Sequence, residues 1–381
     1  MSLLLSLFYF CYFSIVGVYI IFVPKVLSSV GYSASEIGVI FAAAPLVRII
    51  IPFLFMRGLK LNKTILNWAL LLMIVSSVSF YFSLYSFYKL FISNIFLGVG
   101  LSLILPYMEV VALENLGKER YGKVRLFGSI GFVLVSLVLG KIISESILTC
   151  LVTLKFLVVL TSITAIVAFV IERKLQLKDI PRSQQNSGAI NLLADYKLWL
   201  GLIFMQVSFG AFYNFFTIYA TDHGISLDMT IYLWSFGVFV EIIMLYFQGR
   251  FLKNNLLSII QITLLASVIR WFLVFIYPDN LTILFISQSI HALSFALFHS
   301  AAISYLFSIY TNKPLAQQFF SGFTYGFGGL SGALISGYIY EWYPEYLFLS
   351  SAIFAFIAFV FVSLYKRERE LRPKRSKASS L

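Results

Sequence analysis

Stretches of about twenty apolar residues recur from one end of this chain to the other, each long enough to cross the hydrocarbon layer of a membrane as a helix. Inside lipid every backbone N–H and C=O needs a partner, and in a single segment only a helix supplies one for each. Twelve such stretches are readable: 2–24, 36–56, 64–86, 89–113, 121–145, 148–171, 196–221, 227–248, 256–277, 280–307, 315–340 and 342–364. Only 12% of the 381 residues are charged, and the mean hydropathy is +0.92. The expected fold is an all-α membrane protein of twelve transmembrane helices. The first stretch is expected to remain in the chain, because Met1 to Tyr19 contains no basic residue and no small-x-small cleavage pattern precedes Lys25. Cys11 and Cys150 both fall inside spans, which leaves no disulfide framework and no thiolate metal site.

A net charge of +12 could suggest a nucleic-acid partner, but the distribution excludes it. Lysine and arginine gather in alternate connections: Arg57, Lys60 and Lys63; Lys118, Arg120 and Lys123; Arg173, Lys174, Lys178, Arg182 and Lys197; Arg250 and Lys253; Lys313; and the tail from Lys366 to Lys377. The opposite connections hold little beyond Lys25 and Lys89, and carry Asp222, Asp228, Asp279, Glu341 and Glu345. This asymmetry predicts both termini on the cytoplasmic side of the cell's inner (plasma) membrane. The expected partners are the lipid bilayer and a small solute, with the chain acting as a monomer.

The polar interval 172–195, with Pro181 and Gly188, divides six stretches from six. The expected organisation is an N-terminal six-helix bundle at 1–171, that linker, a C-terminal six-helix bundle at 196–364, and a basic cytoplasmic tail at 365–381. The halves also align. A shift of 193 lays Gly17 on Gly210, Gly31 on Gly224, Ser33 on Ser226, Arg57 on Arg250, Lys60 on Lys253 and Asn62 on Asn255. It also lays Arg48 on Glu241, so equivalent depths carry opposite charges. A parallel repeat related by an axis along the membrane normal is one known transporter construction. In the eleventh stretch, Gly322/Gly326 and Gly328/Gly332 have the spacing that lets helices approach closely.

Charge inside an apolar stretch is costly and marks ion or solute paths. Seven such residues stand out: Arg48, Glu109, Arg125, Glu241, Arg270, His291 and His299. Glu109 lies eight residues before Gly117 and Arg125 eight after it, so on antiparallel spans they reach similar depth, within range of an ion pair. Arg270 and His291 match in the same way about the turn at Pro278–Asn280. Glu241 and Arg270 differ by six residues in depth, about 9 Å at 1.5 Å per residue, so contact needs helix tilt or a third group. Gln206, Tyr213, Asn214, Gln288, Ser294 and Tyr325 are further candidates for lining a pocket. There is no G-x-x-x-x-G-K-[ST] to couple ATP, no H-E-x-x-H, no G-x-S-x-G and no Cys/His metal spacing. No enzyme activity, cofactor or metal is expected, and an ion gradient is the expected energy source.

Tyr121-Gly-Lys-Val-Arg125-Leu-Phe-Gly-Ser-Ile-Gly131 resembles the opening of span five in the major facilitator superfamily, in the branch of the phenylpropionate permease and related nucleoside and lactose proton symporters. Tyr232 to Glu241, Val268-Ile-Arg270-Trp271 and His291 through His299 support the resemblance, which covers nearly the whole chain. It implies two pseudo-symmetric six-helix bundles rocking about a central cavity. It also implies substrate binding by Glu109 and Arg125, and proton handling by Glu241, Arg270 and His291. Two features depart from the pattern. Met56 to Lys63 lacks the aspartate of the superfamily's signature loop, and no acid follows His291 closely. The functional expectation is proton-coupled uptake of a small organic solute: an organic or aromatic acid, a nucleoside or a sugar. Arg48, Gln206, Tyr213, Asn214 and Tyr325 are expected to join Glu109 and Arg125 in binding it, and His299 to assist the proton group. A proton-driven exporter of amphipathic compounds is the alternative, and a non-transporting membrane sensor ranks third.

Overall fold

The computed structural model describes residues 1–56, 62–143, 147–175, 192–253 and 255–378. Among these, every regular element is helical. Eleven segments are long and apolar enough to cross a membrane: Ser2–Val30, Ala34–Ile51, Lys63–Phe82, Phe87–Leu116, Arg120–Ile142, Cys150–Lys174, Tyr196–Asp222, Leu227–Arg250, Leu256–Ile276, Leu281–Ile309 and Pro344–Leu371. The other expected crossing, eleventh in chain order, is helical from Lys313 to Trp342 in three consecutive pieces, and its six glycines dilute its hydropathy. These twelve are numbered here as spans one to twelve. The protein is an all-α, multi-pass membrane protein.

The 193-residue repeat is visible in local chemistry. Asn62 and Asn255 each cap the helix they precede, accepting from Ile65 N and from Leu257 N and Ser258 N. Gly31 (φ 104°) and Gly224 (φ 83°) end spans one and seven in the left-handed region that a side chain would strain. Gly17 and Gly210 occupy matching crossings. A Cβ on Gly17 would lie 2.9 Å from Ser136 Oγ of span five, and one on Gly210 would lie 2.3 Å from the Gly332 carbonyl of span eleven. Asn280, in an Asn-Leu-Thr triplet, likewise caps span ten through Ile283 N.

Spans four and five form one unbroken helical run, Phe87–Ile142, that folds back on itself between Leu116 and Arg120. In a straight helix Glu109 and Arg125 would stand about 24 Å apart; their side chains approach to 3.8 Å. Three other spans are irregular at mid-depth. Span seven breaks at Phe209 between Tyr196–Ser208 and Gly210–Asp222. Spans ten and eleven contain π-helical segments, Ala292–Leu297 and Phe320–Gly328.

Several boundaries differ from those read in the sequence. Span one runs to Val30, bending at Phe22 where Pro24 starts the helix Val23–Val30. Helix Ile147–Leu175 continues past the expected end of span six, so Glu172 is a buried helical residue and not part of a linker. Lys63 Nζ at 2.6 Å offsets the burial of that carboxylate. The last helix, Leu347–Ala378, runs on into the expected tail. There Tyr365, Arg369 and the span-ten terminus at Tyr310 surround the buried Asp195 carboxylate. It accepts from Tyr310 Oη at 2.8 Å, Tyr365 Oη at 2.9 Å and Arg369 Nη2 at 3.2 Å. Arg57, Lys60, residues 176–191 of the polar interval, and the basic side chains beyond Leu371 lie outside the described residues.

The two halves meet at the face opposite the basic connections. There Gly38 lies against Ala333 and Gly337, Ile231 against Gly140, and Lys25 Nζ donates to Thr221 Oγ1 at 2.9 Å. At mid-depth Gly326 abuts Arg48 and Ile49. Toward the basic face, Glu109 and Arg125 remain about a third exposed (34% and 32%) although both belong to helices in the apolar layer. A cavity between the halves therefore opens to the basic face.

Candidate functional site

Arg270, on span nine, is fully buried. Its Nη1 donates to His291 Nδ1 at 2.8 Å and to Ser294 Oγ at 3.3 Å, and its Nη2 donates to Gln288 Oε1 at 3.2 Å. Its guanidinium also faces the rings of Trp271 at 4.2 Å, Phe212 at 4.3 Å and Phe209 at 5.6 Å. Among the described residues no carboxylate pairs with it. This cation is held by neutral acceptors and π faces, which attract charge through the ring quadrupole. A guanidinium only donates, so His291 Nδ1 is an acceptor and the neutral imidazole carries its proton on Nε2. That Nε2 points to Glu241 Oε2 at 3.7 Å. His291 is thus the third group between Glu241 and Arg270, bridging their difference in depth.

The irregular helices shape this cluster. The break at Phe209 turns Phe209 and Phe212 onto Arg270 and His291, and the π segment begins immediately after His291. His291 stacks on Phe295, with ring centroids 5.3 Å apart and planes 2° apart. A π segment places successive side chains on a face that a regular helix would rotate away. Gly237 of span eight fits against the cluster, since a Cβ there would lie 3.0 Å from Gln288 Oε1.

The N-terminal half contributes a second cluster. Arg125 Nε lies 3.8 Å from Glu109 Oε1, and its guanidinium sits 3.8 Å above the Phe13 ring. Tyr121 acts electrostatically on Glu109 and lies edge-on to Tyr9. Gly128 makes room for this arrangement, because a Cβ would come within 2.6 Å of Phe13 Cδ2.

Arg48 stands between the clusters. It is exposed to the cavity, and its charge acts on Tyr12 of span one, Tyr213 of span seven and Tyr325 of span eleven. Among the described residues it has no ion-pair partner. Tyr325 Oη lies 2.7 Å from His299 Nδ1, and Glu241 acts electrostatically on both. Nine of the eleven sequence candidates are thus linked by contact or by charge: Glu109 with Arg125, Glu241 with His291 and Arg270, His299 with Tyr325, and Arg48 through its charge with Tyr213 and Tyr325. Two do not join them. Asn214 donates its amide to the Gly210 carbonyl of its own span at 2.7 Å, and Gln206 packs against Gly328. Tyr9 and Tyr12, which the sequence reading passed over, are buried beside Arg125 and within reach of the Arg48 charge; in a chain with 23 tyrosines nothing in the sequence marks these two.

Residues 2–356 match the model of the MFS_1 like family. The chain belongs to that family. As an MFS_1 like protein it is a transporter of the major facilitator type and not an enzyme. It is 24% identical over 376 residues to a probable 3-phenylpropionic acid transporter of Escherichia coli K12, covering 92% of this chain and 94% of that one. The fold matches the crystal structure of the nucleoside transporter NupG with a TM-score of 0.76 at 16% identity, covering 96% of this chain and 98% of NupG. It matches a D-xylose-proton symporter with a TM-score of 0.68 at 14% identity, covering 95% and 96%. The resemblance to the major facilitator superfamily read from Arg125, Glu241 and the span-ten histidines thus agrees with the family match and the fold.

Proposed function

We propose that this protein carries a small organic monoanion, an aliphatic or aromatic carboxylate, into the cell together with protons. The observation that supports this reading is the charge of the cavity. Three guanidiniums, Arg48, Arg125 and Arg270, stand against two carboxylates, Glu109 and Glu241, which leaves one positive charge uncompensated among the described residues. A bound monocarboxylate closes that balance. Arg48 is the arginine free to receive it, since Arg125 is paired and Arg270 is enclosed. The ring faces and hydroxyls of Tyr12, Tyr213 and Tyr325 offer an apolar wall with polar tips beside that cation. Glu109 and Arg125, on spans four and five of the same half as Arg48, hold the remainder of the solute.

Protons move through Glu241 and His291. With Glu241 ionised, its charge faces the Nε2–H of His291 at 3.7 Å; when Glu241 takes a proton, the contact loses its charge and the cluster relaxes. The two halves, on either side of the polar interval after helix Ile147–Leu175, act as rigid bodies and expose the cavity to each side alternately. The basic face is cytoplasmic, in keeping with the asymmetry of lysine and arginine. The relative's 3-phenylpropionate is the first solute to test. In proteoliposomes with an inside-alkaline pH gradient, purified protein should accumulate the labelled acid above its equilibrium level. A collapse of accumulation with a protonophore, and none with an imposed membrane potential alone, would support proton coupling. Accumulation only when the gradient is reversed would favour an exporter and overturn the proposal.

A further inference from the structure

The face opposite the cavity mouth is closed by a contact that the transport cycle above does not use. Glu341 ends span eleven in the C-terminal half, and its Oε2 accepts from the backbone N–H of Ser35 at 2.8 Å. Ser35 is the second residue of helix Ala34–Met56 in the N-terminal half. Its N–H belongs to the first turn, where backbone donors have no partner within their own helix and the helix dipole favours an anion. Glu36 supplies the local cap by accepting from Ser33 N at 2.9 Å, so Glu341 caps the same helix from the other half.

The surroundings suit a closure. Directly beneath, a Cβ on Gly337 would lie 2.8 Å from the Ala34 carbonyl and 3.0 Å from Gly38 Cα, so the two backbones touch. Beside it, Asp222 accepts from Tyr340 Oη at 2.6 Å within the C-terminal half and lies 4.0 Å from Lys25 Nζ of the other half. The charged and titratable groups around Glu341 are therefore Glu36 on span two, Lys25 on span one, Asp222 and His223 at the end of span seven, and Tyr340 on its own span.

We infer that Glu341 is an outer latch, a carboxylate of the C-terminal half that caps span two of the N-terminal half and holds the outer face shut while the cavity faces inward. Opening the outer face pulls the glycine contact apart and returns the Ser35 N–H to water, so the latch weights the balance toward the inward-open state. It does so whether or not solute is bound. The inference rests on the alternating-access reading, but its test needs neither solute nor a proton gradient.

Spin labels at positions 85 and 279, in exposed connections of the two halves on the outer face, report the opening as a distance distribution in lipid nanodiscs at pH 7. The native Cys11 and Cys150 are buried and leave the labelling to introduced cysteines. The short-distance population should dominate in the parent protein. Glu341→Gln exchanges a charge-assisted hydrogen bond for a neutral one and should raise the ratio of long to short distances by about tenfold. Glu345→Gln, four residues on and outside the contact, should leave the distribution unchanged. An unchanged distribution in Glu341→Gln, or an equal shift in Glu345→Gln, overturns the latch. A clear shift in a protein that accumulates no carboxylate would instead leave the latch standing and reject the proposed solute.

Discussion

Glutamine at Glu109 or methionine at Arg125 should stop transport while leaving the fold nearly intact. A fully buried ion pair that loses one member destabilises a protein by about 3–5 kcal/mol, because the other charge is left uncompensated. This pair is different: both side chains are about a third exposed to the cavity, at 34% and 32%, and Nε and Oε1 are 3.8 Å apart. A solvated pair of that kind is worth about 0–1 kcal/mol. Arg125→Met also loses the contact with Phe13, about 0.5–2 kcal/mol. Stability should therefore fall by about 1 kcal/mol in Glu109→Gln and by about 1–3 kcal/mol in Arg125→Met. Uptake should fall by at least about a hundredfold, which corresponds to about 2.7 kcal/mol in the limiting barrier. Thermal melting in detergent measures the first quantity. Initial uptake in proteoliposomes, normalised to folded protein, measures the second. Variants that melt far below the parent yet transport normally per folded molecule would show the pair to be a brace between spans four and five.

Glu241→Gln should abolish accumulation driven by a pH gradient but retain exchange of labelled for unlabelled solute, since exchange needs no net proton release; full accumulation would move the proton to Glu109. Arg48→Gln should raise the KM for a carboxylate solute by at least about tenfold while leaving that for its amide analogue little changed, and equal losses for both would detach Arg48 from charge recognition. A tag inserted at Asp279 should be reached by a membrane-impermeant reagent from outside intact cells, whereas access from the inside alone would invert the topology. The Glu341 carboxyl is held below its usual range by the hydroxyl of Ser35 and then by its backbone N–H. Its folded value is depressed, so the outer contact is complete above the ordinary carboxylate range and is lost as pH falls through the lower value. Distance distributions at stepped pH should open only at that acidic end, and opening near neutrality would assign the transition to another group.

Much of this architecture was legible because a membrane leaves few choices. Apolar length set the crossings, and depth counted from the turns at Gly117 and Pro278 paired Glu109 with Arg125 and Arg270 with His291. The same count left Glu241 to reach Arg270 by helix tilt or through a third group, and His291 lies between them. What counting could not reach was lateral direction. Asn214 and Tyr213 are adjacent in sequence, yet about 100° of helical turn separates them, and Asn214 gives its amide to the Gly210 carbonyl of its own helix while Tyr213 lies within reach of the Arg48 charge. Glu172 read as linker because it is charged and follows an apolar run; its cation, Lys63, lies on a helix more than a hundred residues earlier in the chain. The tyrosines around Arg48 were hidden by their abundance, since a ring in a membrane span usually faces lipid or a neighbouring helix.

The π segment Ala292–Leu297 carries a consequence for how this chain tolerates insertions and deletions. A π turn accommodates a surplus residue within an otherwise α-helical span. Deleting one residue there can be absorbed by a return to α geometry, keeping Phe298 to Ile309 in register with their neighbours. The same deletion in the regular helix Leu256–Ile276 would turn everything beyond it by about 100° and carry Arg270 off the face it shares with His291. Span ten is thus a place where chain length can change by one residue without loss of the crossing, and the change would register first at His291 and His299, on either side of the surplus turn.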